Sequence, residues 1–157
     1  MSTPSPLAAR ELQLTRLLPA SPATVYRAWT EPALLQQWFA PLPYTTPHVE
    51  LDVRPGGRSL VVMRDPDGND YPNAGVYLEV IPNQKLVVTD AYSEAWLPAE
   101  KPFMTLILTF AAEAGGTRYT ALVRHWSVAD REAHEAMGFH AGWGQTTDQL
   151  AALLARL

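Results

Sequence analysis

The alternation of apolar and polar positions divides the chain into strands first and a helix last. Leu12 and Leu14 alternate with Glu11, Gln13 and Thr15, which predicts a strand over 10–18. Six further runs have strand character: 48–54 (HVELDVR), 58–64 (RSLVVMR), 74–81 (AGVYLEVI), 85–92 (KLVVTDAY), 103–110 (FMTLILTF) and 118–126 (RYTALVRHW). The separators PGG, PDGN, PNQ and EAGG are tight-turn chemistry. Connections this short leave no room for crossover helices, so neighbouring strands are expected to be antiparallel.

Between the first strand and the rest, Ser21 followed by Pro22 reads as a helix N-cap with proline at the first helical position. A short helix over SPATVYRAW is expected, with Val25, Ala28 and Trp29 on one face. Thr30 can cap a second, carrying Leu34, Leu35, Trp38 and Phe39 before Pro41 and Pro43 end it. After Ser127-Val-Ala-Asp130, which resembles a capping box, helix formers run to Leu157. One helix over 129–156 would be about 42 Å long. Its inward stripe would hold Ala133, Ala136 or Met137, His140, Gly144, Thr147, Leu150 or Ala151, Leu154 and Leu157.

The order is β-α-α-β6-α. The fold class expected is α+β, with a curved seven-stranded antiparallel sheet wrapped round one long C-terminal helix and two short helices. A sheet with one face to cover and a single large helix to cover it should leave a cavity between them, roofed by the two short helices. Gly138, Gly142 and Gly144 then make sense as side chains removed where the helix meets the sheet, with a kink as the alternative. Residues 1–9 are expected to be a flexible tail and 10–157 a single domain.

Composition narrows the function. Of 157 residues, 12 are basic and 16 acidic, a net charge of −4 with no basic run, so nucleic acid is not an expected partner. The chain has no cysteine, which excludes disulfides, thiolate metal sites and a cysteine nucleophile. No apolar run is long enough for a membrane span, and no secretion signal is evident, so a cytoplasmic protein is expected. GxSxG, Walker A, HExxH and a nucleotide fingerprint after a strand are all missing.

Three stretches carry a resemblance. PASPATVYRAWTEPALLQQWFAP (19–41), DVRPGGRSLVVMRDPDGNDYPNAGVYLEVIPNQKLVVTDAY (52–92) and MGFHAGWGQTTDQLAALL (137–154) are similar to the START-like, Bet v 1-like helix-grip superfamily. Within it they resemble the branch named for the activator of the heat-shock protein 90 ATPase. The resemblance implies a helix-grip fold and a hydrophobic internal cavity. It does not imply one activity, because the superfamily includes lipid carriers, hormone binders and polyketide cyclases. Co-chaperones of the branch carry a further N-terminal domain, and a chaperone partner is not expected here.

Within that frame the candidate ligand-binding set is Trp38, Phe39, Met63, Tyr77, Tyr92, Trp96, Phe103, Tyr119, Val123, His125, Met137, His140 and Gly144. The aromatic residues read as cavity walls or as ordinary core. Trp96, in the polar, proline-bearing loop SEAWLPAEKP, reads as a gate or as a contact surface. His140 is either a polar group offered to a ligand or a satisfied core histidine. His125 shares a strand face with Thr117, Tyr119, Ala121 and Val123. Two histidines without a third ligand make no metal site, so neither a metal nor a cofactor is expected. Glu50, Asp52, Arg54 and Glu79 read as a solvated outer face.

The reading these features support best is binding of a small apolar or aromatic molecule. A cyclase- or dehydratase-like enzyme using the same cavity, with His140 as its catalytic group, is the alternative. A protein-interaction module is the third reading. A homodimer through an edge strand or the apolar 94–98 loop is left open.

Overall fold

The computed structural model describes residues 8–157. Most of the expected tail therefore lies outside the described residues. Ala8, Ala9 and Arg10 form a short 3-10 turn that leads into β1 (Glu11–Leu18).

The helical hairpin α1 (Pro22–Thr30) and α2 (Pro32–Leu35) follows. Ser21 caps α1, its hydroxyl accepting the Thr24 N–H at 3.3 Å, with Pro22 in the first turn. Thr30 ends α1 instead of capping α2: its hydroxyl donates to the Tyr26 carbonyl at 2.8 Å, and Glu31 takes the cap position. The rest of the sheet comes from β2 (Thr45–Leu51), β3 (Arg58–Arg64), β4 (Asp70–Ile81), β5 (Lys85–Thr89), β8 (Met104–Glu113) and β9 (Gly116–His125). Two short strands between β5 and β8, β6 (Tyr92–Glu94) and β7 (Leu97–Pro98), form a separate hairpin.

All seven main strands lie in one antiparallel sheet, in the order β1-β9-β8-β5-β4-β3-β2. The chain therefore closes its first strand onto its last. Along β9 the alternation is regular: Thr117, Tyr119, Ala121, Val123 and His125 are buried on the inner face. Strand β4 starts earlier than its apolar run suggests. The Asp65 carboxylate accepts backbone N–H groups from Asp67 and Asn69, which tightens the turn and lets Arg64 pair directly with Asp70. Strand β5 ends at Thr89, and Tyr92 belongs to the small hairpin.

The C-terminal region departs from the single long helix. It is two helices, α3 (Val128–Ala136) and α4 (Phe139–Leu154). Ser127 caps α3, accepting the Asp130 N–H at 3.1 Å. Gly138 separates the two helices in the left-handed conformation, φ +98°. Glycine occupies that region at little steric cost, and most other residues do not. Helix α4 buries Phe139, Thr146, Thr147, Leu150, Leu153 and Leu154, of which Thr147, Leu150 and Leu154 lie on the expected inward stripe. His140 and Met137, both placed on the inward stripe of an unbroken helix, are exposed, as is Leu157.

Helix α4 packs over the β1–β9 end of the sheet, where Arg16 of β1 pairs with Asp148 at 2.5 Å. Gln149 ties α4 to the segment after α2: its Nε2 donates to the carbonyls of Trp38 (2.9 Å) and Ala40 (2.8 Å), and its Oε1 accepts the Leu42 N–H at 3.0 Å. The core formed there joins Leu12, Val25, Tyr119, Val123, Phe139 and Leu150. Among the described residues, no helix is long and apolar enough to cross a membrane.

Candidate functional site

Because α4 covers one end of the sheet, the other end needs a different lid. Strands β3, β4, β5 and β8 present Val61, Tyr77, Leu86, Val88 and Leu106 to the interior, and Trp29, Leu35 and Phe39 of the helical hairpin face them. The space between is a cavity of about 340 Å³. That lies at the small end of the roughly 300–1,000 Å³ range for ligand pockets. The segment between β5 and β8 closes one side with Asp90, Ser93, Ala99 and Lys101. The cavity thus sits between sheet and helical hairpin. It does not sit between sheet and C-terminal helix, as the strand-and-helix order suggested, and no residue of α3 or α4 lines it.

Gly75 is part of the floor. A Cβ added there would stand 2.4 Å from the Thr89 carbonyl oxygen, so the close approach of β4 to β5 requires glycine. Nearby, the Thr89 and Thr105 hydroxyls are 3.0 Å apart, which satisfies two buried polar groups within the sheet. Burial pushes the Tyr77 hydroxyl's pKa up, so it stays protonated; Ser59 is its hydrogen-bond partner.

Asp90 is the acidic group of the wall. It is half-buried, and its Oδ1 accepts the backbone N–H groups of Phe103 (2.8 Å) and Met104 (3.0 Å). These bonds fix the start of β8. Burial raises the pKa of its carboxyl, against the opposing pull of those N–H groups. Sequence pattern gave no reason to single it out, because Asp90 stands in the turn after an apolar strand, where aspartate is common.

Of the residues singled out from the sequence, Phe39 and Tyr77 line this cavity. Trp38 is buried beside it, packs edge-on against Trp29, and donates its indole N–H to the Ala28 carbonyl at 3.0 Å. Tyr119 and Val123 belong to the core under α1 and α4. Met63 sits further along β3, outside the lining. Tyr92 and Trp96 pack edge-on against each other outside the lining, and the Trp96 ring lies over Gly56. Trp96 is 64% exposed and has φ +65°. Gly144 faces Arg16 of β1, not the cavity. Met137 is exposed on the turn between α3 and α4.

The two histidines part company. His140 is exposed and bonds Glu135 at 3.1 Å; that hydrogen bond holds the Glu135 carboxyl below the usual carboxylate range. His125 is buried. Its Nδ1 donates to the Arg10 carbonyl at 2.8 Å, and its Nε2 lies 2.8 Å from Nδ1 of His134. Phe103 and Phe139 pack against the pair. His134 was not apparent from the sequence because its contact with His125 depends on how α3 folds back onto β9. Both nitrogens of His125 are engaged, so it offers nothing to a ligand. Among the described residues, no cluster of three or more metal-ligating side chains occurs. Glu50, Asp52 and Glu79 pair with His48, Arg54 and Lys85 on the outside.

Comparison with known proteins bears on the family and the overall fold. The family described as Activator of Hsp90 ATPase homolog 1-like protein matches residues 19–155. No curated protein matches the chain. Among solved structures, a protein of Nitrosomonas europaea is 42% identical, with a TM-score of 0.91 over 95% of this chain and 96% of that one. A protein of Chromobacterium violaceum is 29% identical (TM-score 0.77, covering 92% and 96%). One of Mycobacterium smegmatis is 27% identical (TM-score 0.80, covering 94% and 92%).

Proposed function

The chain belongs to the Activator of Hsp90 ATPase homolog 1-like family, and from that premise we propose that it binds a small hydrophobic molecule in the cavity beneath the helical hairpin. The observation that carries this reading is the wall itself. Trp29, Phe39, Leu51, Val61 and Leu106 surround about 340 Å³ of space. Close-packed interiors leave few voids of this size, and ligand pockets begin at about this volume. Burial of the ligand's apolar surface would drive binding at roughly 25 cal/mol per Å².

Binding is favoured over catalysis by what the wall lacks. No histidine lines it, and Asp90 and Lys101 make no ion pair with each other among the described residues. The side chain that most often moves protons in catalysis is histidine. His140, the catalytic candidate, is on the outer surface.

Titration calorimetry with neutral apolar probes such as 4-phenylbutan-1-ol tests the reading. Binding should be lost in Val61→Trp, which fills the cavity from β3 with a ring on the face that already lines it. Equal affinity in the variant, or no binding of any apolar probe by the unaltered protein, would sink it.

A further inference from the structure

The polar end of the cavity is unfinished in a specific way. Asp90 Oδ1 is taken by two backbone N–H groups and its carboxylate also draws on its own N–H, while among the described residues no side chain donates to Oδ2. A half-buried carboxylate in an apolar wall calls for a donor, and a cation most of all. No cation pairs with it among the described residues. Among the described residues, Glu11, Glu31, Glu79, Glu113, Asp70 and Asp148 each pair with a lysine or arginine, and Asp90 pairs with neither. Lys101 is, among the described residues, the one cation that lines the cavity, and it is exposed and makes no ion pair with any of them. His125 is near enough to act on Asp90 electrostatically, but its ring nitrogens are bonded to Arg10 and His134.

We propose that the cavity takes a hydrophobic primary amine, with its ammonium group on Asp90 and its apolar body against Trp29, Phe39, Leu51 and Val61. This rests on the cavity reading above and adds the chemistry of the head group. An ammonium both fills the open position on Oδ2 and neutralises the charge. A hydroxyl does the first alone, and a carboxylate does neither.

Three probes with one body separate these outcomes: 4-phenylbutylamine, 4-phenylbutan-1-ol and 4-phenylbutanoate, titrated at pH 7. The amine should bind about tenfold or more tighter than the alcohol, the difference expected of one charge-assisted hydrogen bond. The acid should bind weakest. In Asp90→Asn the amide oxygen can still accept from Phe103 and Met104, so the local fold is kept. The amine's advantage should disappear there while the alcohol binds as before. Lys101→Ala should leave amine affinity equal or higher. Amine and alcohol of equal affinity would overturn the head-group assignment and leave the cavity reading standing, as would an amine preference that survives in Asp90→Asn. An acid that binds tightest, and loses that in Lys101→Ala, would overturn it in favour of an anionic head. Should Asp90→Asn fail to fold by circular dichroism, the order of the three probes on the unaltered protein decides alone. If none of them binds, the cavity reading itself fails.

Discussion

His125 Nε2 lies 2.8 Å from His134 Nδ1, and only one of the two rings can supply the proton between them. His125 Nδ1–H is committed to the Arg10 carbonyl. The shared proton is either His134 Nδ1–H, accepted by His125 Nε2, or His125 Nε2–H, accepted by His134 Nδ1. The contact joins β9, α3 and the turn that precedes β1, and Phe103 and Phe139 shield it.

Burial, with His125 alongside, lowers the His134 pKa from its usual 6.5 to about 4. Between those values the unfolded chain binds a proton that the folded one does not. Stability should therefore be intact above about pH 6.5 and fall as the pH drops toward 4. Partial exposure of the ring limits the loss to roughly 1–2 kcal/mol. Urea midpoints measured at pH 7 and pH 4.5 should differ less in His134→Gln than in the unaltered protein. An unchanged difference would show that His134 does not set the acid limb.

Gly142 and Gly144 lie inside α4 with room for a methyl group. Nothing stands within 4 Å of a Cβ at Gly142, and at Gly144 only the end of Arg16 comes as near as 3.9 Å. Alanine at either position should stabilise the protein by roughly 0.5–1 kcal/mol through helix propensity. Neither change should alter probe affinity, since α4 does not line the cavity. Thermal unfolding and probe titration check the two halves separately.

Gly138→Ala should act the other way. Its surroundings are equally open, but φ is +98°. The backbone penalty for a side chain there is about 1–2 kcal/mol. A midpoint that does not fall would mean that the turn between α3 and α4 relaxes to another conformation.

Gly75→Ala tests the cavity floor. The methyl group would collide with the Thr89 carbonyl, and the strand must shift to admit it. A loss of about 2–3 kcal/mol is expected, together with weakened probe binding.

Trp96→Gly and His140→Ala should leave probe affinity unchanged. Trp96 rests over Gly56 outside the lining, and His140 pairs with Glu135 at the surface. Relief of the left-handed backbone at Trp96 should offset the lost contact with Tyr92, so the unfolding midpoint should stay close to that of the unaltered protein. A several-fold fall in affinity in either variant would return that residue to the ligand site.

The strands were legible because each has an inner face that repeats every second residue and a turn that ends it. Leu106, Leu108 and Phe110, or Tyr119, Ala121 and Val123, announce their burial by position alone. Ser21–Pro22 and Ser127 marked helix starts for the same local reason, a hydroxyl placed to accept an N–H one turn later. The site was far less legible. Phe39 and Tyr77 line the cavity, but as aromatic residues they were indistinguishable in sequence from Trp38 and Tyr119, which pack in the core.

Local pattern and the resemblance together determined the antiparallel sheet, the helical hairpin and the family, since each depends on contacts a few residues apart or on motifs read directly. What the tertiary structure decided began at Gly138. A single left-handed residue splits the C-terminal helix and turns Phe139 inward in place of His140. Tertiary packing also moved the cavity from under the C-terminal helix to under the helical hairpin alone and brought Asp90, in the turn after β5, to its wall. Helical periodicity placed Thr147, Leu150 and Leu154 inward but cannot reveal the break, because a left-handed residue is a backbone choice that the apolar pattern does not record.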